Sequence, residues 1–101
     1  MNIIKTDENG KVVIKPEGWL DTASSPELGA VVDSVESADS IVLDFDSVEY
    51  MSSAGLRQVI AAHKKAKALE ASFEVINVGP EVMNIFKMTV IDKKISIKAK
   101  D

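Results

Sequence analysis

The stretch Ile41-Val42-Leu43-Asp44-Phe45-Asp46-Ser47-Val48-Glu49-Tyr50-Met51-Ser52-Ser53-Ala54-Gly55-Leu56 decides how the chain folds. Ile41 to Phe45 is an apolar run of strand length. The acidic segment after it reads as a loop, and two adjacent serines then precede a long Ala-rich segment. Serine is favoured at the first position of a helix because its oxygen accepts from an N–H group that helix geometry leaves unpaired. A strand therefore hands over to a helix at Ser52 or Ser53. In open α/β sheets, the carboxyl ends of strands are where function tends to lie.

Downstream, Leu56, Val59, Ala62 or His63, Ala66 and Leu69 form an apolar stripe at helical spacing, so the helix runs to about Glu70. Arg57, Lys64 and Lys67 lie off that stripe. Phe73 to Val78 reads as a strand, Gly79-Pro80 breaks it, and Glu81 to Met88 reads as a short helix facing inward through Val82, Ile85 and Phe86. Ile95 and Ile97 alternate with lysines in a last strand, where the lysines discourage edge pairing.

Upstream, Asn9-Gly10 between two β-like runs signals a hairpin, because both central residues of a type I′ turn need positive φ. Pro16 lacks an N–H and is expected at an edge or a strand end. Ser25-Pro26-Glu27 reads as a helix start, with a cap, a first-position proline and a first-turn acid. Leu28, Val31, Val32 and Val35 give that helix one apolar face, ending near Ser37. The order β, β, α, β, α, β, α, β implies right-handed parallel crossovers. The expectation is one α/β domain over residues 1–101. It holds a mixed sheet of about five strands, an N-terminal antiparallel hairpin and three to four helices.

The chain has 101 residues and a net charge of −4. That balance argues against nucleic acid, which needs a basic face to displace counterions. The clusters Lys64, Lys65, Lys67 and Lys93, Lys94, Lys98, Lys100 read as solvated surface. With no cysteine, disulfides and thiolate chemistry are excluded. No secretory segment and no apolar run of spanning length is visible, so no membrane partner and a cytoplasmic location are expected.

Catalysis finds little support. A serine nucleophile needs a base within hydrogen-bond reach. The only histidine, His63, follows Ser53 by ten residues, about 15 Å along one helix. No phosphate-binding glycine loop occurs. A receiver-like domain, with Asp44 as phosphoacceptor and Asp7, Glu8 and Lys93 or Lys94 as helpers, is opposed by the turn after Asp7-Glu8. A receiver needs a helix there. The protein is read as a binding module, not an enzyme, and as needing no cofactor.

The run Tyr50-Met51-Ser52-Ser53-Ala54-Gly55-Leu56-Arg57, following Ile41-Val42-Leu43-Asp44-Phe45, resembles the signature of the STAS domain, and in particular bacterial anti-sigma factor antagonists. Gly18-Trp19-Leu20-Asp21 is similar to the family's earlier Gly-x-Leu-Asp element, and Val82 to Thr89 to its later helix. The resemblance spans nearly the whole chain. It implies a partner switch: the unmodified domain binds a serine-kinase anti-sigma factor, a GHKL-type ATPase, and phosphorylation releases it. A metal-dependent serine phosphatase reverses the modification. The serine so modified corresponds to Ser53, with Ser52 as the lesser candidate, because many relatives carry Asp at the Ser52 position. A second departure is Thr89-Val90-Ile91, where relatives often have Thr/Ser-Gly-Leu. An altered turn is expected there.

A phosphate adds about −1.5 to −2 charges at neutral pH, and a helix N-terminus tolerates them. Such charge repels an acidic partner surface while leaving the fold intact. The expected partner surface comprises Trp19, Asp21, Thr22, Asp44, Asp46, Tyr50, Met51, Ser52, Gly55 and Arg57. Ser53 also reads as a plain helix cap, and Asp21 and Asp44 as structural acids at strand ends. A STAS module of another assembly, such as a lipid-transport ABC complex or a stress-signalling complex, is the alternative. A monomer or weak dimer is expected.

Overall fold

The computed structural model describes residues 1–101. Strands β1 (Asn2–Glu8) and β2 (Lys11–Leu20) form an antiparallel hairpin, with Glu8 opposite Lys11. Asn9 and Gly10 in its turn have φ of 53° and 86°, as a type I′ turn requires. Helix α1 (Ser25–Asp33) leads to β3 (Ser40–Asp44), which runs parallel to the first half of β2. Then come β4 (Val48–Met51), α2 (Ser53–Ala68), β5 (Ser72–Val78), α3 (Pro80–Met88), one 3₁₀ turn (Ile91–Lys93) and β6 (Ser96–Ala99). The sheet order is β1-β2-β3-β5-β6, and β4 pairs with the far end of β2.

The sheet therefore has six strands where about five were expected. The additional one, β4, lies in the segment read as acidic loop. Its four residues are too few to show a period, and its partner is the end of β2, about thirty positions away. The true loop is only Phe45 to Ser47, closed by a hydrogen bond from the Val48 N–H to the Phe45 carbonyl at 3.0 Å.

Pro16 is likewise not at an end. It lies inside β2 opposite Ile3. On the other flank, pairing with β3 stops at Ile14 and pairing with β4 begins at Gly18. The missing N–H falls where β2 changes neighbours, so a proline costs little there. Helix α1 stops at Asp33 rather than near Ser37, with the Ser34 hydroxyl bonded back to the Val31 carbonyl at 2.6 Å. Val35 stays in the core from outside the helix.

One face of the sheet carries the core. Val12, Ile14, Ile41, Leu43 and Val75 meet Leu28 and Val32 of α1, Val59, Ala62 and Ala66 of α2, and Val82 and Phe86 of α3 in one buried cluster of 19 residues. Ala62, not His63, takes the inward position. His63 is half-buried with its ring 5.6 Å from that of Phe73. Alanines at 62 and 66 let α2 lie close to the strands. After α3 the chain turns through Val90 at φ 55°. A left-handed backbone costs a β-branched residue about 1–2 kcal/mol. Val90 stands where the family often has glycine, and its backbone takes the left-handed conformation that a glycine would adopt without strain.

Candidate partner-docking site

At the carboxyl end of the sheet, β2 and β4 finish side by side, with Trp19 paired to Tyr50 and Leu20 to Met51. The pairing slips between Gly18 and Trp19, and Gly18 sits at φ 100°. A side chain would strain that backbone, so glycine permits the bulge. Beyond it Leu20 and Met51 point into the core and Trp19 and Tyr50 point out. The two rings lie 5.2 Å apart at 47° and are 58% and 43% exposed, an aromatic pair with no apolar cover.

The turn from β2 into α1 is organised by Asp21. Its Oδ1 accepts from the N–H groups of Ala23 at 3.0 Å and Ser24 at 2.9 Å, and its own N–H donates to the Ser24 hydroxyl at 3.0 Å. The Ser24 hydroxyl in turn bonds the Trp19 carbonyl. The Ser24 N–H, with the Ser24 hydroxyl next, holds the Asp21 carboxyl below the usual carboxylate range. Asp21 is thus the knot of this turn. The signal for it in the sequence is the Asp-x-x-Ser spacing of Asp21 and Ser24, a local side-chain-to-backbone motif.

At the start of α2, Ser52 has extended backbone angles (φ −90°, ψ 178°), and its Oγ accepts from the Ala54 N–H at 3.2 Å. Its own N–H donates to the Leu20 carbonyl at 2.8 Å. Ser52 is therefore the cap. Ser53 is the first helical residue and is exposed. Gly55 is buried against the end of β2. A Cβ there would come within 2.8 Å of the Leu20 carbonyl oxygen and of Met51 Cγ. Its place in the Ala-Gly-Leu run lets the first turn of α2 dock on β2.

Two expected surface residues are consequently corrected. Met51 is 1% exposed, in the core, and Gly55 is buried. Both support the surface from beneath, because β4 points Met51 inward and the helix seats directly on Leu20.

The acids at the end of β3 have bonding partners of their own. Asp44 Oδ1 accepts from the Asp46 N–H at 3.0 Å and from Asn77 Nδ2 at 3.1 Å. Asp46 pairs with Lys100 Nζ at 3.3 Å, and that lysine also donates to the Asp46 carbonyl at 2.8 Å. They tie the β3–β4 loop to β5 and to the chain just after β6. What the fold brings together is Trp19, Asp21 and Thr22 from the end of β2 with Tyr50, Ser52 and Ser53 from the end of β4. Arg57 stands one turn further along α2. The receiver arrangement is not assembled: Asp7 and Glu8 lie at the hairpin end, and Asp44 at the opposite end of β3.

The STAS domain family model matches residues 2–100. The chain belongs to the STAS domain family. This STAS domain is similar to the crystal structure of an anti-sigma factor antagonist from Mycobacterium paratuberculosis. The two share 25% identity over 96% of this chain and 84% of that one, with a TM-score of 0.87. It is also similar to the anti-sigma factor antagonist SpoIIAA in its unphosphorylated form, at 18% identity over 91% and 96% of the two chains and a TM-score of 0.71. To the phosphorylated form of SpoIIAA, a Bacillus cell fate determinant, it is 17% identical over 99% and 93%, with a TM-score of 0.76. The single α/β domain and its mixed sheet are those of this fold. No helix is long and apolar enough to cross a membrane.

Proposed function

We propose that this STAS domain is an anti-sigma factor antagonist that works by partner switching at Ser53. Unmodified, it docks on a GHKL-type serine-kinase anti-sigma factor in the cytoplasm through Trp19, Tyr50 and the first turn of α2. Phosphorylation of Ser53 releases it, and a metal-dependent phosphatase restores it. ATP and metal belong to those partners, and the domain itself catalyses nothing and needs no cofactor. The observation that carries this reading is the division of labour between the two serines. Ser52 spends its oxygen on the cap, while Ser53 holds an exposed hydroxyl on a helix already formed. A doubly charged group added there meets solvent, leaves the cap in place and lands beside the aromatic pair, where a partner would have to be dry.

The test is site-mapped mass spectrometry after incubation with a candidate kinase and ATP. Phosphate is expected on Ser53 and absent from Ser53→Ala. Binding of the kinase is expected to fall at least tenfold in Ser53→Asp. Phosphate confined to Ser52, or equal affinity of Ser53→Asp and the unsubstituted domain, would overturn the reading.

A further inference from the structure

We infer that Arg57 is the internal receptor for a phosphate on Ser53, an inference that rests on the reading of Ser53 as the modified residue. Ser53 and Arg57 stand four residues apart in α2, the spacing that brings two side chains together on one helix face. Both are exposed, and the buried residues Gly55, Val59, Ala62 and Ala66 occupy the opposite side. The guanidinium is uncommitted. The ion pairs of the structure use the N-terminus, Lys98 and Lys100, and none uses Arg57. No acid precedes it in the first turn of α2. A free arginine at i+4 from a phosphorylated serine offers two parallel N–H donors to the phosphate oxygens, the geometry guanidinium favours.

The consequence is a switch that acts twice. Modification adds negative charge at Ser53, and it withdraws the cation at 57 that an acidic group of the partner would otherwise meet. It also adds a side-chain pairing to a helix whose N-terminus already tolerates the charge.

Phosphoserine is placed at position 53 by genetic encoding, so that no kinase is needed, and thermal unfolding is followed with and without it. The gain in Tm on modification is expected to be roughly 2–4 °C larger with Arg57 than in Arg57→Gln, on the scale of a helix ion pair in a domain of this size. Arg57→Lys should recover part of the gain, because it keeps charge and loses the paired donors. Salt at about 1 M should erase the difference. Without phosphate, Arg57→Gln should unfold at the same temperature as the unsubstituted domain, which a purely structural arginine would not allow. Equal gains with Arg57 in place and in Arg57→Gln, or a difference that persists unmodified, would overturn the inference. Failure of the switch itself would show separately, as protein phosphorylated at Ser53 that still binds the kinase while the difference in Tm stands.

Discussion

Two helices of this domain begin with the same dipeptide, and the two Ser-Ser pairs end up in opposite states. In α1, Ser24 precedes the helix with its hydroxyl drawn back to Asp21 and Trp19, so it gives no side-chain cap. Ser25, the first helical residue, is 1% exposed, and its hydroxyl has no partner. In α2, Ser52 caps the helix and Ser53 is open to solvent. The difference lies in what precedes each pair. A three-residue turn knotted by Asp21 folds Ser25 under the chain, whereas β4 runs straight into its helix and leaves Ser53 on the rim. Identical local chemistry is spent on scaffold at one turn and presented at the other.

The largest way to break that contrast is Gly55→Ala. The added methyl meets the Leu20 carbonyl and Met51, neither of which can yield without moving β2 or the core. A loss of about 2–3 kcal/mol is expected, read as a lower urea midpoint with an unchanged m-value. Ser52→Ala should cost about 1 kcal/mol, the value of a lost cap. Ser24→Ala tests the other turn, where the hydroxyl serves the knot and not the cap.

Asp21→Ala sharpens the comparison through pH. A carboxyl held below its unfolded value of 3.8 contributes stability above that pH and loses it as the pH falls through the lowered folded value. Thermal unfolding should therefore separate Asp21→Ala from the unsubstituted domain at neutral pH. The two curves should converge as the pH falls below 3.8. The smallest effects belong to the first helical serines. Ser25→Ala removes an unpaired buried hydroxyl and should be neutral or stabilise by up to about 1 kcal/mol. Ser53→Ala should stay within about 0.5 kcal/mol, because the side chain supports nothing. A large loss in Ser53→Ala would erase the distinction between the two pairs.

Much of this was legible in the sequence because local rules decided it. Asn9-Gly10 set the hairpin, Ser-Pro set α1, and the stripe from Val59 to Ala66 set α2. What was hidden depends on contacts between distant segments. Strand β4 exists because Val48 and Met51 find the end of β2. Met51 and Gly55 looked like surface because the same motif holds both support and display, and only the packing of α2 on Leu20 separates them. Asn77 and Lys100, the partners of Asp44 and Asp46, come from segments more than thirty residues away and leave no local signal. The left-handed backbone at Val90 runs against local preference and had to be seen.

Strand β2 is gripped along nearly its whole length, by β1 on one flank and by β3 and then β4 on the other. Trp19 is its last residue but one and Asp21 follows its end, so the rim proposed for docking is the tip of a clamped rod. Such a tip has little ordering entropy left to lose on encounter. Association should then proceed in one step, at the roughly 10⁵–10⁷ M⁻¹s⁻¹ set by mutual orientation of rigid bodies, with no slow rearrangement ahead of it.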